Sequence, residues 1–498
     1  PSWNVKNKDT LKKKEFWYQD AYSEVTRKLL VERNYFLAKN IIFFIGDGMS
    51  VPTVTAGRIY EGQLKGIIGE RNRLEFEKFE HVGLSKTYCA DRQVADSACT
   101  ASAYLCGAKA NYRTIGVSAD VKLDDCAAAK KPSNQLSSIA EWALRAHKSA
   151  GLVTTTRVTH ASPSGLYAHT SNRDFESDFD VKDLGQNPAN CPDIADQLVT
   201  GEVGKRLRVV LGGGTSKFLP NTVTDKYGKK GQRLDGRNLI DEWKKNKRGR
   251  VHTVFDRTEL SKINPSRTDY LLGLFNSSHL AYNLDDSIDT PSLSEMTAAA
   301  IKVLSNDPAG YFLFVEGGRI DHAHHETKAK KALDETAQFS AAVKRALQMT
   351  NPWETLIVVS ADHGHTMTIN GYPDINNSIT GLNSELSDKD NKPFATLSYA
   401  NGADFEKFFT TNADGKVERV DLTNANIGHK DTIYPHGVPM AEETHGGGDV
   451  AVYANGPWAH LFTGVYEQST LPHLMAYASC IGPGTTYCSL RPRNPYLH

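Results

Sequence analysis

From Lys39 onward the chain alternates short apolar runs with segments whose apolar residues recur at helical spacing. "NIIFFIGDG" is a continuous apolar run that ends in a polar turn, the pattern of a strand buried on both faces. "SSIAEWALRAHKSAG" predicts a helix, and "LVTTTRVTH" the strand after it. "DIADQLV" reads as helical, and "LRVVLGGG" as a strand closed by a glycine turn. "LSEMTAAAIKVLSND" leads as a helix into the strand "GYFLFVEGG". "TKAKKALDETAQFSAAVKRALQMT" leads in the same way into "ETLIVVSADHGH". Apolar strands alternating with amphipathic helices predict an α/β fold, a large, mostly parallel central sheet with helices on both faces.

Two stretches break this rhythm. Residues 9–33 carry Phe16, Trp17, Tyr22, Leu29 and Leu30 among charges, which predicts one or two amphipathic helices. Such helices pack on the body or on a partner subunit, and the body is the simpler expectation. From about Asn370 to His436 the chain is rich in Asn, Asp, Gly and Ser, the composition of an inserted, partly exposed subdomain. The αβ pattern returns at "GDVAVYANGP" and closes with a helix near "LPHLMAYASC". The expected organisation is an arm over 1–36, an α/β domain over 37–369 and 437–498, and an insert over 370–436.

Composition narrows the function classes. The 58 basic and 58 acidic residues cancel, so nothing calls for a nucleic acid or an anionic membrane as partner. "KKNKRGR" after Trp243 reads as a solvated loop. With 39% hydrophobic and 23% charged residues the chain is expected to fold. No apolar run approaches the ~20 residues of a membrane span. "PSWNVKNKDT" lacks both an initiating Met and a signal-peptide pattern, so a processed chain is expected. The seven cysteines contain no C-x-x-C pair, which disfavours a structural zinc knuckle, and their odd number leaves a thiol unpaired. Sequons at Asn276 and Asn376 permit glycosylation on a secretory route.

The chemistry gathers after the predicted strands. Asp47 follows the first, and His160 and Ser162 follow a second. Glu316, Asp321, His322, His324 and His325 end a third, and Asp362, His363 and His365 a fourth. His445 comes further on in "EETHGGGDV". Ligands of open α/β sheets bind at strand C-termini. Each residue alone has a plainer reading, Asp47 as a turn former, "ADHGH" as a polar loop, His445 as a flexible surface histidine. Their joint placement outweighs these. Asp with His suits a borderline cation such as zinc; the oxygens of Asp47, Ser162 and Glu316 suit a harder one such as magnesium. Two metals ~4 Å apart stabilise the attacking and leaving oxygens of an in-line displacement at phosphorus. Arg173 in "YAHTSNRDF" suits an anion clamp, or an ordinary surface arginine. "LGGGTSKF" lacks the spacing of a phosphate loop, and no G-x-S-x-G surrounds Ser97. Asp96 before "SACTASAYLCGAK" is a common helix start, with Asp96 as cap.

Seven segments, "IIFFIGDGMS", "LSKTY", "DSACTASAYLCGAKAN", "GLVTTTRVTHASPSGLYAHTSNR", "VEGGRIDHAHHE", "ADHGHT" and "EETHGGGDVAV", together resemble the animal alkaline phosphatases over nearly the whole chain. The resemblance implies metal-dependent hydrolysis of phosphate monoesters of broad range through a phosphoserine on Ser97. It implies Asp321, His325 and His445 as ligands of one zinc, and Asp47, Asp362 and His363, completed by Ser97, as ligands of a second. Asp47, Ser162 and Glu316 would bind magnesium, with His160 beside that site. Arg173 would hold the phosphate, and His322 and His365 would orient ligands or water, while His324 has no such role. It further implies a homodimer reached by the arm, a crown-like insert, and disulfides Cys126–Cys191 and Cys480–Cys488 with Cys106 free. A secreted or lipid-anchored protein of the outer cell surface is expected.

Departures from the pattern accompany it. Cys99 stands where vertebrate members have glycine, and Cys89 is also unexpected; a bond between them would staple the chain beside Ser97. Asn276 replaces a calcium-binding glutamate, although Asp289 matches another ligand, so a calcium site does not carry over. Gly448 replaces a glutamate near His445. The rivals are a non-catalytic surface protein on this fold, and an enzyme acting on sulfate esters or phosphodiesters. The full ligand set and Arg173 favour the monoesterase.

Overall fold

The computed structural model describes residues 5–285 and 289–488. A sheet of 10 strands forms the centre. Its strands are β1 (Asn40–Gly46), β2 (His81–Lys86), β3 (Ser149–Arg157), β4 (Val209–Gly213), β5 (Val251–Val254), β6 (Tyr270–Leu274), β7 (Tyr311–Gly317) and β8 (Thr355–Ala361). After a short β9 (Gly364–His365) and β10 (His445–Gly446) come the last two, β11 (Val450–Asn455) and β12 (Gly464–Glu467). The spatial order is β12-β2-β11-β8-β1-β7-β3-β4-β6-β5. All neighbours are parallel except β11, which runs antiparallel to both β2 and β8.

β1 sits between β7 and β8, and alternation assigns its side chains to opposite faces. Ile41, Phe43 and Ile45 pack in one core with Trp142, Leu144, Leu471 and Met475. Ile42 and Phe44 pack in the other with Met296, Ile301, Phe339 and Val343. Helices α2 (Val51–Leu64), α3 (Ser97–Cys106), α4 (Ile139–Arg145), α5 (Ala161–Ser164), α6 (Ile194–Thr200), α7 (Leu293–Leu304), α8 (Arg319–His325), α9 (Ala329–Met349) and α10 (Leu471–Ser479) supply these covers and the turns after the strands, while α1 (Lys14–Leu29) precedes β1.

The helix expected over "SSIAEWALRAHKSAG" is shorter than its pattern. α4 stops at Arg145 because His147 takes a left-handed backbone, φ 61°, and β3 starts at Ser149. The arm lies against the body through charged side chains and not through a buried apolar face. None of the residues of α1 is buried, and Trp17, Tyr22 and Leu29 are exposed. The helix is pinned instead by ion pairs, Asp20 with Arg71 at 2.7 Å and Arg27 with Glu80.

Residues from Thr368 to Pro439 form three small sheets apart from the main one. One joins Thr368–Ile369, Leu397–Gly402 and His436–Pro439. Their core of Ile379, Leu397, Tyr399 and Tyr434 rests on Tyr60 of α2 and Leu333 of α9. Disulfides join Cys126 to Cys191, Cys480 to Cys488 and Cys89 to Cys99, and Cys106 is a buried free thiol.

Candidate active site

The C-terminal ends of four adjacent strands, β8, β1, β7 and β3, converge at the middle of the sheet. Asp47 follows β1 directly. Gly48 behind it has φ 71°, and a Cβ there would lie 2.5 Å from the His365 ring, so only glycine turns the chain here. Gly48 also donates its N–H to Asp362 at 2.9 Å.

Asp321 and His325 lie on one face of α8, as their spacing predicts. His325 Nε2 is 3.5 Å from Asp321 Oδ1, His445 Nε2 3.3 Å from the same oxygen, and the two imidazole nitrogens 3.0 Å apart. These three donors face a common point. Burial alone raises the Asp321 carboxyl, but His325, His365 and His445 around it hold it well below the usual range.

A second group forms around His363. Its Nε2 lies 3.0 Å from Asp362 Oδ2, 3.6 Å from Asp47 Oδ1 and 3.1 Å from Ser97 Oγ. Ser97 Oγ is 3.5 Å from Asp47 Oδ1, while Ser162 Oγ is 3.4 Å from the other oxygen, Oδ2. Asp47 therefore faces two neighbouring positions at once. On the second side stands Glu316, whose Oε2 accepts from Thr154 and from Thr156 at 3.1 Å.

The donor set fits metal ions. Asp47, Glu316, Asp321 and Asp362 are buried together. Burial, followed by Asp362, Asp321 and Glu316, pushes the Asp47 carboxyl far above its normal range, and Glu316 rises to about 7, chiefly through burial. Glu316 Oε1 and His363 Nδ1 are buried without a hydrogen-bond partner. Bound cations relieve such a crowd of carboxylates.

Ser97 opens α3. Asp96 caps the helix by accepting from Cys99 N at 3.3 Å, and its other oxygen accepts from Arg173 Nη1 at 2.9 Å. Arg173 is thus held beside Ser97, with its Nη2 3.4 Å from His160 Nε2. His365 lies against Asp321 at 2.7 Å and Glu443 at 2.5 Å, which raise it to about 10 against the opposing effect of burial. His322 Nδ1 lies 2.7 Å from Arg319 Nη1. Burial, then the Arg319 charge, lowers it to about 3. His324 is a satisfied core residue, bonded to Thr53 and Tyr399.

Four contributors carry no motif that marks them as site residues. Glu443 holds His365, and its carbonyl accepts from His325 Nδ1; an acid two residues before His445 was the available signal. Thr154 and Thr156 lie in a strand and carry no motif. Asp96 was read as a cap alone.

Fold and donor set define a class, an α/β protein with a candidate metal centre beside a serine. Known proteins sharpen this. The alkaline phosphatase family model matches residues 38–481. The membrane-bound alkaline phosphatase of Bombyx mori is 46% identical over 95% of this chain and 86% of its own. The tissue-nonspecific isozyme of Homo sapiens is 44% identical over 95% and 90%. The crystal structure of Thermus thermophilus alkaline phosphatase shares the fold at a TM-score of 0.63 and 22% identity, over 93% of this chain and 94% of its own. The chain belongs to the alkaline phosphatase family. It is a metal-dependent enzyme that hydrolyses phosphate monoesters.

Proposed function

We propose that Ser97 is the nucleophile and that three metal ions surround it. Asp321, His325 and His445 hold one zinc; Asp47, Asp362 and His363, with Ser97, hold a second; Asp47, Ser162 and Glu316 hold magnesium. Bound there, such ions supply Lewis-acid charge stabilisation and lower the pKa of a coordinated hydroxyl or water. The observation that carries this reading is Asp47, one oxygen toward Ser97 and the other toward Ser162.

Arg173, fixed by Asp96, binds two phosphoryl oxygens of the substrate through its planar fork. The first amides of the ten-residue α3 add donors at the same place. Ser97 Oγ, faced by Asp47 Oδ1 and His363 Nε2, forms a bond to phosphorus as the bond from phosphorus to the alcohol oxygen breaks; the serine proton passes to solvent and the leaving alkoxide takes one from water. Water then attacks phosphorus from the side the alcohol left, the Oγ–P bond breaks, and inorganic phosphate and free Ser97 result. The grip is on the phosphoryl group, so a broad range of alcohols is accepted. His160 lies beside the magnesium position, and His365 and His322 orient neighbouring groups.

The arm over 1–36 is assigned to a homodimer contact, supported by the unburied apolar residues of α1. The 370–436 insert is assigned to a crown on the 37–369 and 437–498 catalytic domain, supported by its separate small sheets. Three disulfides support an extracellular location, secreted or held at the cell surface by a lipid anchor, with Asn276 and Asn376 as glycosylation points. No helix among the described residues is long and apolar enough to cross a membrane.

Metal analysis of the whole protein tests the assignment. The expected content is two zinc and one magnesium per chain, with phenyl phosphate turnover lost on chelation and restored only when both metals return. Full turnover in metal-free protein contradicts it.

A further inference from the structure

Beside Arg173 lies a ring of imidazoles and guanidiniums that the assignments above leave largely unused. His160, His279 and His322 each offer a ring nitrogen within 4.8 Å of the others. The ring centres of His279 and His322 are 4.3 Å apart, and those of His160 and His279 5.1 Å. Each histidine meets an arginine. Arg173 lies 3.4 Å from His160 Nε2, Arg157 Nη1 2.7 Å from His279 Nε2, and Arg319 Nη1 2.7 Å from His322 Nδ1.

Donors outnumber acceptors here. The backbone N–H of Arg157 also points at His279 Nδ1, 3.2 Å away. A neutral imidazole has one acceptor nitrogen, so one of these two contacts sets donor against donor in either tautomer. Arg157 has Glu176 as its acid, and Arg173 has Asp96. Among the described residues Arg319 has no carboxylate at ion-pair distance. Its guanidinium lies over the Tyr282 ring at 3.8 Å, and its Nε is buried without a partner. The three histidines, Arg157 and Arg319 are all half-buried, so solvent reaches the group. Three imidazoles also suit a cation, but three guanidiniums packed against them repel one. An anion satisfies the unpaired donors instead.

We propose that Arg319, His279, Arg157 and His322 form a second anion-binding subsite, which takes a second anionic group carried by the alcohol of the phosphate monoester. Arg157 also walls a cavity of about 460 Å³ whose other cations include Lys229 and Lys230. The proposal rests on Arg173 as the phosphoryl ligand and deepens that reading from any alcohol to a favoured class.

Calorimetric titration of the metal-loaded protein with propylphosphonate and with 3-phosphonopropionate, equal in length and differing in the second anion, tests it. Wild type is expected to bind 3-phosphonopropionate more tightly. Arg319→Ala and His279→Phe are each expected to weaken 3-phosphonopropionate, Arg319→Ala by roughly tenfold or more as a charge-assisted bond is lost, and to leave propylphosphonate unchanged. Arg319→Lys recovers part of the loss. If wild type and Arg319→Ala bind 3-phosphonopropionate alike, or if both ligands weaken together, the subsite is overturned while the phosphoryl site stands. If wild type binds neither phosphonate, the reading of Arg173 fails first and the subsite with it.

Discussion

Asp96 serves the site with both oxygens. Oδ1 accepts from Cys99 N and Arg113 N, and Oδ2 from Arg173. Burial alone raises this carboxyl, yet Arg173 and the amides hold it below the usual range. Asp96→Asn keeps the shape and one acceptor but sets an amide against a guanidinium. Losing a bond to a charged group is worth roughly ten- to hundredfold, so kcat/KM for phenyl phosphate is expected to fall by that factor. The circular dichroism spectrum is expected to stay unchanged; an unaltered kcat/KM contradicts the positioning of Arg173 by Asp96. Residues of this kind are the hardest to read from sequence. Asp96 looks like any helix cap, Thr154 and Thr156 look like any strand residues, and His279 stands in a plain "FNSSHL" stretch. What sets them at the site is a partner 77, 162 or 43 positions away in the chain, which only the fold supplies.

The loop into α3 shows how an element carries precision. Cys89 and Cys99 tie its start to the first turn of the helix. Between them, Ala95 O accepts from His445 Nδ1 at 2.7 Å, leaving Nε2 directed at Asp321. A closed loop of this length contributes on the order of 2–3 kcal/mol through the unfolded chain. The double variant Cys89→Ser/Cys99→Ser is therefore expected to melt lower and also to lose kcat/KM, because Ala95 and Asp96 both relax. Lower melting with full kcat/KM leaves the bond a staple with no part in the site. The elements themselves were largely legible. β1, β7 and β8 are unbroken apolar runs, and the Asp321–His325 spacing placed both on one helical face. The end of α4 was not legible, since nothing local marks His147 as the left-handed residue.

At the scale of the molecule, the sheet is what brings residues 47, 97, 173, 321, 363 and 445 within a few ångströms. The β8-β1-β7-β3 order sets four loops side by side, and the antiparallel β9–β10 pair, His365 opposite His445, brings His445 to Asp321. Parallel packing buries both faces and leaves the strand ends as the place where polar chemistry meets solvent. One atom in this assembly, Ser97 Oγ, is proposed to carry the phosphoryl group. This is tested by mixing the metal-loaded enzyme with phenyl phosphate, quenching in acid and mapping peptides by mass spectrometry. One added phosphoryl group is expected on the peptide holding Ser97, absent in Ser97→Ala, whose turnover falls on the order of 10³-fold or more. A phosphoryl group on another residue, or Ser97→Ala turning over at the wild-type rate, contradicts it.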